Sequence, residues 1–334
     1  MKAVVVGSGG WGTALAQVLC DNGHDTVLWS HNPAKAEEMR RTRENPLLPG
    51  VKLPDALQVT GDLTCLDGAE LVVSAAPSFA VRDTGTKIAP YLRKSTVLVS
   101  VSKGIERGTC KRMSELLWES TGGVCGIAAL SGPTHAEEVG LRLPAGCVAA
   151  SLSGDAARAV QDAFMNAYFR VYTSYDIVGV ELSAALKNVI ALACGICDGL
   201  GYQDNTKALL MTRAMAELTR LGEQLGGSRR TFSGLAGMGD LIVTCTSMHS
   251  RNRRAGILIG QGMPVPDALE SIGAVVEGYY AAESVRELAA REEVDMPICR
   301  CVWEILYKGR DPHTATGELM GRARKDELLG ATWM

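Results

Sequence analysis

The chain has 334 residues, 46% of them hydrophobic and 21% charged, with a formal net charge of −3. That length allows two domains with real cores, and the near-neutral balance gives no overall basis for nucleic-acid or membrane binding. Phosphorylated ligands would have to be held by local positive sites.

The ordered pattern starts at once. Residues 2–6 are a β-branched run that ends in Gly7, Gly9 and Gly12, and helical spacing begins immediately afterwards. Strand, glycine turn and helix with G-x-G-x-x-G spacing is the fingerprint of a dinucleotide-binding unit. Gly7 serves the tight turn, Gly9 the approach of a pyrophosphate, and Gly12 the packing of helix on strand. The helix N-terminus then offers free N–H groups and a positive dipole end.

Asn22-Gly23 stops that helix, and Asp25 to Trp29 reads as the second strand. NAD-binding folds usually place an acid after this strand for the ribose 2′-OH. Here Ser30, His31 and Asn32 follow instead, with Arg40, Arg41 and Arg43 on the next helical segment. The missing carboxylate favours NADPH, with NADH still allowed, because an acid would repel the 2′-phosphate.

Further strands are expected at 70–76, 96–102 and 124–130, with closing strands at 147–152 and 169–173 around a helix over 154–167. Alternating strands and helices predict a parallel sheet with ligands beyond the carboxyl ends of its strands. Gly7 to Gly12, Pro77, Lys103 and Gly132 to Thr134 would then face one crevice. From Asp176 helical spacing dominates, so the predicted architecture is α/β: a Rossmann-like, mostly parallel sheet domain over 1–176, then a mostly α-helical domain over 177–334.

Lys187 sits in the middle of a largely apolar helix. A lysine there must snorkel, pair or titrate, which makes it a candidate proton donor or base. Asn188 would point away from the same stripe. Residues 234–246 are glycine-rich and then helical, with Asp240 near the helix start as either a first-turn carboxylate or a functional one. Ser247 to Arg254 is the strongest basic cluster, and Arg251 is its candidate phosphate clamp. Glu277 shows no chemistry by itself.

The ten cysteines are spread through apparent strands and helices, the usual placement of buried thiols. Cys194 and Cys197 have C-x-x-C spacing inside an apolar helical run without a second pair, which reads as core packing, and no metal is expected. No signal-peptide order precedes the strand at residue 2, and no apolar run reaches the roughly 18 residues of a membrane span. A cytoplasmic location is the expectation.

Taken together, Gly7-Ser-Gly-Gly-Trp-Gly-Thr-Ala14, Ser102-Lys-Gly-Ile-Glu106, Ser131-Gly-Pro-Thr134, Leu186-Lys-Asn-Val189, Gly237-Met-Gly-Asp-Leu241, Ser250-Arg-Asn-Arg-Arg254, Val275-Val-Glu-Gly278 and the ending at 321–327 resemble bacterial-type NAD(P)-dependent glycerol-3-phosphate dehydrogenases. The resemblance spans almost the whole chain in order. It implies reversible hydride transfer between NAD(P)H and dihydroxyacetone phosphate, giving sn-glycerol 3-phosphate for phospholipid synthesis. It implies Lys187 as proton acceptor or donor, and Lys103 as a second cation touching cofactor and substrate, with Asp240 orienting Lys187. Gly10, Trp11, His31, Ala136, Val275, Glu277 and Arg251 match cofactor positions. Gly132, Thr134, Asn188, Asp240, Thr244, Ser250, Arg251 and Asn252 match substrate-side positions. Two departures flank the crevice: His135 where the family pattern has Phe, and Glu137 where it is often basic.

Two rival readings share the fingerprint. A hydroxyacid or sugar-acid dehydrogenase has no need of the Ser-Arg-Asn-Arg-Arg cluster, and a silent nucleotide sensor leaves Lys103, Lys187 and Asp240 without a task. A homodimer is compatible with the size of the helical portion, though no stretch specifies it.

Overall fold

The computed structural model describes residues 1–324, 326 and 327. Lys325 and residues 328–334, which the expected second domain and the family-like ending include, lie outside the described residues.

The first half alternates strand and helix: β1 (Lys2–Val6), α1 (Gly10–Asp21), β2 (Asp25–Trp29), α2 (Pro33–Thr42), β3 (Gln58–Thr60) and β4 (Leu71–Ser74). It continues with α3 (Val81–Ile88), β5 (Val97–Ser100), α4 (Met113–Ser120), β6 (Gly126–Ser131), α5 (Ala136–Gly140), β7 (Ala145–Ala150), α6 (Gly154–Phe164) and β8 (Phe169–Ser174). One eight-stranded sheet results, in the order β3-β2-β1-β4-β5-β6-β7-β8. β1 pairs with β2 on one side and β4 on the other, so the chain reverses its direction of travel across the sheet at β1. That is the switch point where α/β sheets open a crevice, and the glycine loop lies there.

Two features depart from the sequence reading, and the sheet's one antiparallel pairing refines the expected mostly parallel sheet. β3 is an extra edge strand of three residues, too short to show a period. The sheet is mixed, because β6 pairs antiparallel with β7, which then carries β8 parallel to itself. The helix expected over 154–167 ends at Phe164, where Met165 turns to extended geometry.

Beyond Asp176, whose carboxylate caps the helix by accepting from the Gly179 N–H at 2.8 Å, the chain is helical. The elements are α7 (Ile177–Gly199), α8 (Asp204–Gln224), α9 (Arg229–Phe232), α10 (Asp240–Thr246), α11 (Arg251–Gly260), α12 (Val265–Ser271), α13 (Glu277–Arg291), α14 (Pro297–Lys308) and α15 (Pro312–Met320). A π-helical turn, Leu235–Gly239, leads into α10, a geometry enriched at functional sites. α7 is the axis of this half. It is long and apolar enough in composition to cross a membrane, yet it is almost wholly buried inside the protein. Its apolar face packs with Leu218, Leu241, Ile259, Ala282 and Val285 from its neighbours. A run interrupted by Glu181, Lys187 and Asn188 is a core helix, and each of those polar residues has a specific partner.

The two halves are pinned across their junction. Glu181 on α7 is buried and accepts from Arg112 Nη1 at 2.7 Å, from the Ser114 N–H at 2.8 Å and from Ser114 Oγ at 2.5 Å. It therefore caps α4 from the opposite half and neutralises a guanidinium as it does so.

Candidate active site

The glycine loop has the geometry its spacing predicts. Gly7 holds φ +127, and a Cβ there would stand 2.7 Å from the Ala75 carbonyl oxygen. At Gly12 a Cβ would stand 2.0 Å from the Gly7 carbonyl oxygen, so only glycine lets α1 approach β1 so closely. Gly9 is different: nothing lies within 4 Å of a Cβ built there. The protein's own packing leaves the face of Gly9 clear, at the N-cap of α1 where no side chain caps the helix. Free N–H groups, a dipole end and an unblocked backbone fit a dinucleotide pyrophosphate.

Around this loop the expected cofactor residues are placed unevenly. Ala136 opens α5 opposite Gly10, 3.7 Å from the position of a Cβ there. The Trp11 indole turns inward toward Phe169, with ring centroids 6.4 Å apart, so its contribution to the loop is backbone. His31 is exposed on the bend after β2. Arg43 is spent on the carbonyls of Pro54 and Leu57, and Arg40 pairs with Glu37. Those two arginines are therefore structural or surface groups. The cation that does reach the loop is Lys35, whose Nζ donates to the Ser8 carbonyl at 3.2 Å; the sequence reading had not singled it out.

The crevice beyond β4, β5 and β6 joins the two halves at Asp240. Its carboxylate is almost fully buried and takes Lys103 Nζ on Oδ2 at 2.7 Å and Lys187 Nζ on Oδ1 at 3.1 Å. Lys103 also donates to the Gly132 carbonyl at 3.0 Å. Lys187 donates to Thr244 Oγ1, which in turn donates to the Asp240 backbone carbonyl at 2.6 Å. One carboxylate thus holds two ammonium groups from different halves of the chain.

Burial is the largest influence on Lys187 and pushes its pKa down from 10.5 to about 8; Asp240 opposes this, while Lys103 adds to it. Neutral thiols complete the surroundings. Burial pushes Cys197 up to about 12, while contact with Cys245 and burial raise Cys194; Cys194 packs in the core and Cys197 is half-buried at its edge.

On the helical side Asn252 is a junction. Its Oδ1 accepts from the Gly278 N–H at 2.8 Å, which leaves its Nδ2 to donate to Asn188 Oδ1 at 3.1 Å. Asn188 therefore turns its own amide N–H groups away from Asn252. Ser250 caps α11 and accepts from the Arg253 N–H at 3.2 Å. Arg251 projects from the first turn of α11, exposed and free of hydrogen bonds among the described residues, while Arg253 is held by Asp198 at 2.8 Å. Of the basic cluster, Arg251 is free to meet a ligand and Arg253 is not.

Glu277 accepts from Ser78 Oγ at 2.8 and 3.0 Å across the junction, and Val275 is half-buried two residues earlier. Burial raises the Glu277 carboxyl above its ordinary range. Ser78 went unremarked in the sequence because its partner is 199 residues away. Thr134 Oγ1 donates to the Gly132 carbonyl at 3.2 Å, closing the turn after β6. His135 N-caps α5 with its ring 5.7 Å from His249, and burial, then Lys187 and Lys103, push its pKa down. Burial and the two nearby lysines thus disfavour the charged form of this imidazole.

Comparison with known proteins identifies the family. Residues 2–157 match the N-terminal part of the NAD-dependent glycerol-3-phosphate dehydrogenases, and residues 176–317 match the C-terminal part. The chain is 48% identical over 333 residues to a glycerol-3-phosphate dehydrogenase [NAD(P)+] of Shouchella clausii, covering 98% of each protein. It is 51% identical to the enzyme of that name from Geobacillus kaustophilus, over 97% of this chain and 95% of that one. A crystal structure of glycerol-3-phosphate dehydrogenase from Coxiella burnetii superposes with a TM-score of 0.91 at 35% identity, covering 96% of this chain and 99% of that one. A dinucleotide loop, two lysines held on one buried carboxylate and homology along both halves converge, and the chain belongs to the NAD-dependent glycerol-3-phosphate dehydrogenase family as an NAD(P)-dependent oxidoreductase.

Proposed function

We propose that the chain reduces dihydroxyacetone phosphate to sn-glycerol 3-phosphate reversibly, with Lys187 as the proton donor in reduction and acceptor in oxidation. The observation that carries this is the Lys187–Asp240–Lys103 cluster at the carboxyl ends of β5 and β6. A bound nicotinamide supplies the hydride.

The protein's part is to meet the charge that hydride addition leaves on the substrate oxygen. Lys187 carries a proton at neutral pH and can deliver it to that oxygen from a dry pocket. Lys103, tied to the same carboxylate, adds a second positive charge where the negative charge develops. Asp240 fixes both nitrogens in place, so no reorganisation is needed during the reaction. Thr244 locks the position of Lys187 from the next turn of α10.

The substrate phosphate goes to Arg251, whose planar guanidinium can grip two oxygens, with Ser250 and Asn252 at the same helix start and Asn188 N–H groups beside them. Gly132 and Thr134 bound the opposite wall. The dinucleotide lies on Gly7 to Gly12, with His31, Ala136, Val275 and Glu277 around it and Arg251 and Lys103 shared with the substrate. This assignment makes 1–176 the cofactor half and 177–334 the catalytic half. NADPH is the preferred cofactor, and the product serves phospholipid synthesis. Following NADPH consumption after addition of dihydroxyacetone phosphate tests the whole reading; absence of turnover with NADPH and NADH alike refutes it.

A further inference from the structure

We infer that Lys35 is the residue that recognises a 2′-phosphorylated adenosine and so sets the preference of this enzyme between NADPH and NADH. The inference rests on the dinucleotide lying on the glycine loop, as proposed above, and adds the group that reads its ribose.

In a sheet of this kind the adenosine ribose lies beyond the carboxyl end of β2, beside the glycine loop. Here that place is bounded by Ser8, Ser30, His31 and the start of α2. Ser8 Oγ donates to Ser30 Oγ at 2.9 Å, which spends the Ser8 proton, and Ser30 Oγ also accepts from the Asn32 N–H at 3.4 Å. The start of α2 is not an anion site of its own. Pro33 has no N–H, and Asn32 Oδ1 accepts from the Ala34 and Lys35 N–H groups at 3.0 and 3.2 Å. The next donor, the Ala36 N–H, bonds to the Asn32 carbonyl at 3.0 Å. A phosphate here must therefore be met by side chains.

Among the described residues the candidates reduce quickly. Arg40 is turned to Glu37, Arg43 to two carbonyls at the far end of α2, and Arg41 stands exposed in the last turn of α2, away from the helix start. Lys35 alone reaches back over the loop, with its Nζ 3.2 Å from the Ser8 carbonyl. That carbonyl is already shared with Asn45 Nδ2 at 3.0 Å, so it is a weak counterpart for an ammonium group. No carboxylate is bonded to Lys35 in the described structure. Partial burial pushes its pKa down, with Glu38 as a weaker opposing influence. A partly desolvated cation with only a neutral acceptor gains from a dianionic phosphate. The chain also places no acid after β2 to hold an unphosphorylated ribose through its 2′-OH. Both facts point to the phosphorylated cofactor.

The test is binding, measured by quenching of protein fluorescence with NADPH, NADH, 2′,5′-ADP and 5′-AMP in turn. Wild-type protein should bind NADPH more tightly than NADH, and 2′,5′-ADP more tightly than 5′-AMP. Lys35→Ala should lower affinity for both 2′-phosphorylated probes by roughly tenfold or more, while leaving NADH and 5′-AMP within about twofold. Retained NADH binding also shows that the variant is folded. Lys35→Arg should keep the preference, and Lys35→Glu should reverse it. An unchanged ratio of NADPH to NADH affinity in Lys35→Ala overturns the role of Lys35 alone. Failure of wild-type protein to bind either dinucleotide overturns the placement of the cofactor as well, so the two failures are distinguishable.

Discussion

Lys187 on α7 and Asp240 on α10 form a buried ion pair at 3.1 Å, in a pocket that disfavours the charged lysine while the carboxylate favours it. The balance leaves a lysine that titrates near about 8, within reach of both of its protonation states. A surface lysine could not donate and accept a proton with comparable ease at one working pH.

This balance sets the pH dependence of the two directions. Reduction needs the ammonium form, so its kcat/KM should fall as pH rises through about 8, and oxidation should rise over the same window. Asp240→Asn keeps the shape but removes the charge that raises the Lys187 pKa. The falling limb should then move to lower pH, and the rate should drop by about a hundredfold, read from stopped-flow pH profiles.

Arg251 and Arg253 should behave differently although they stand two residues apart. Arg251→Ala removes the proposed phosphate contact and should raise KM for dihydroxyacetone phosphate by about a hundredfold. Arg253 grips Asp198, which is also held by Lys207 at 2.7 Å, and it bonds the Thr246 carbonyl at 2.5 Å. Arg253→Lys should give a smaller rise in KM, about tenfold, with kcat nearly unchanged, because it loosens the turn that precedes Arg251. Steady-state kinetics with varied substrate separates the two.

Glu181 should matter for stability. Removing it by Glu181→Ala leaves Arg112 without its buried partner and the Ser114 N–H in the first turn of α4 without an acceptor, at a cost of about 3 kcal/mol. Urea denaturation monitored by circular dichroism measures the loss.

Glu217 on α8 gives a separate pH signature. Its carboxyl accepts from the N–H groups of Ile298 at 2.9 Å and Cys299 at 3.2 Å, but burial pushes its pKa up to about 7 from 4.5. A carboxyl raised on folding favours the folded state most below its unfolded pKa, and this benefit is lost as pH rises through the folded value. Wild-type stability relative to Glu217→Gln should therefore fall between pH 4.5 and about 7, in thermal melts of both proteins.

The sequence revealed groups whose chemistry is local. The glycine spacing specified a turn and a close helix approach, both seen at Gly7 and Gly12. Lys187 stood out as a lone cation in an apolar helix, and Asp240 as an acid beside a glycine-rich turn. What stayed hidden depends on tertiary contact. β3 has too few residues for a period. Lys35 looked like any charge on a surface helix until the chain brought it over Ser8, 27 residues earlier. Asp198 and Arg253, 55 residues apart, meet only when α7 and α11 pack together, and Ser78 and Glu277 only when the two halves assemble. Arg40 and Arg43 were visible as charges, but their partners, Glu37 and the carbonyls of Pro54 and Leu57, were not.

The most direct test of the central claim compares wild-type protein with Lys187→Ala, mixed with NADPH and dihydroxyacetone phosphate while the near-ultraviolet absorbance of NADPH is followed. Wild-type protein should consume NADPH, and the variant should bind it, shown by fluorescence quenching, without turning over. Turnover by Lys187→Ala at a rate near that of wild-type protein would contradict the assignment of the proton to Lys187.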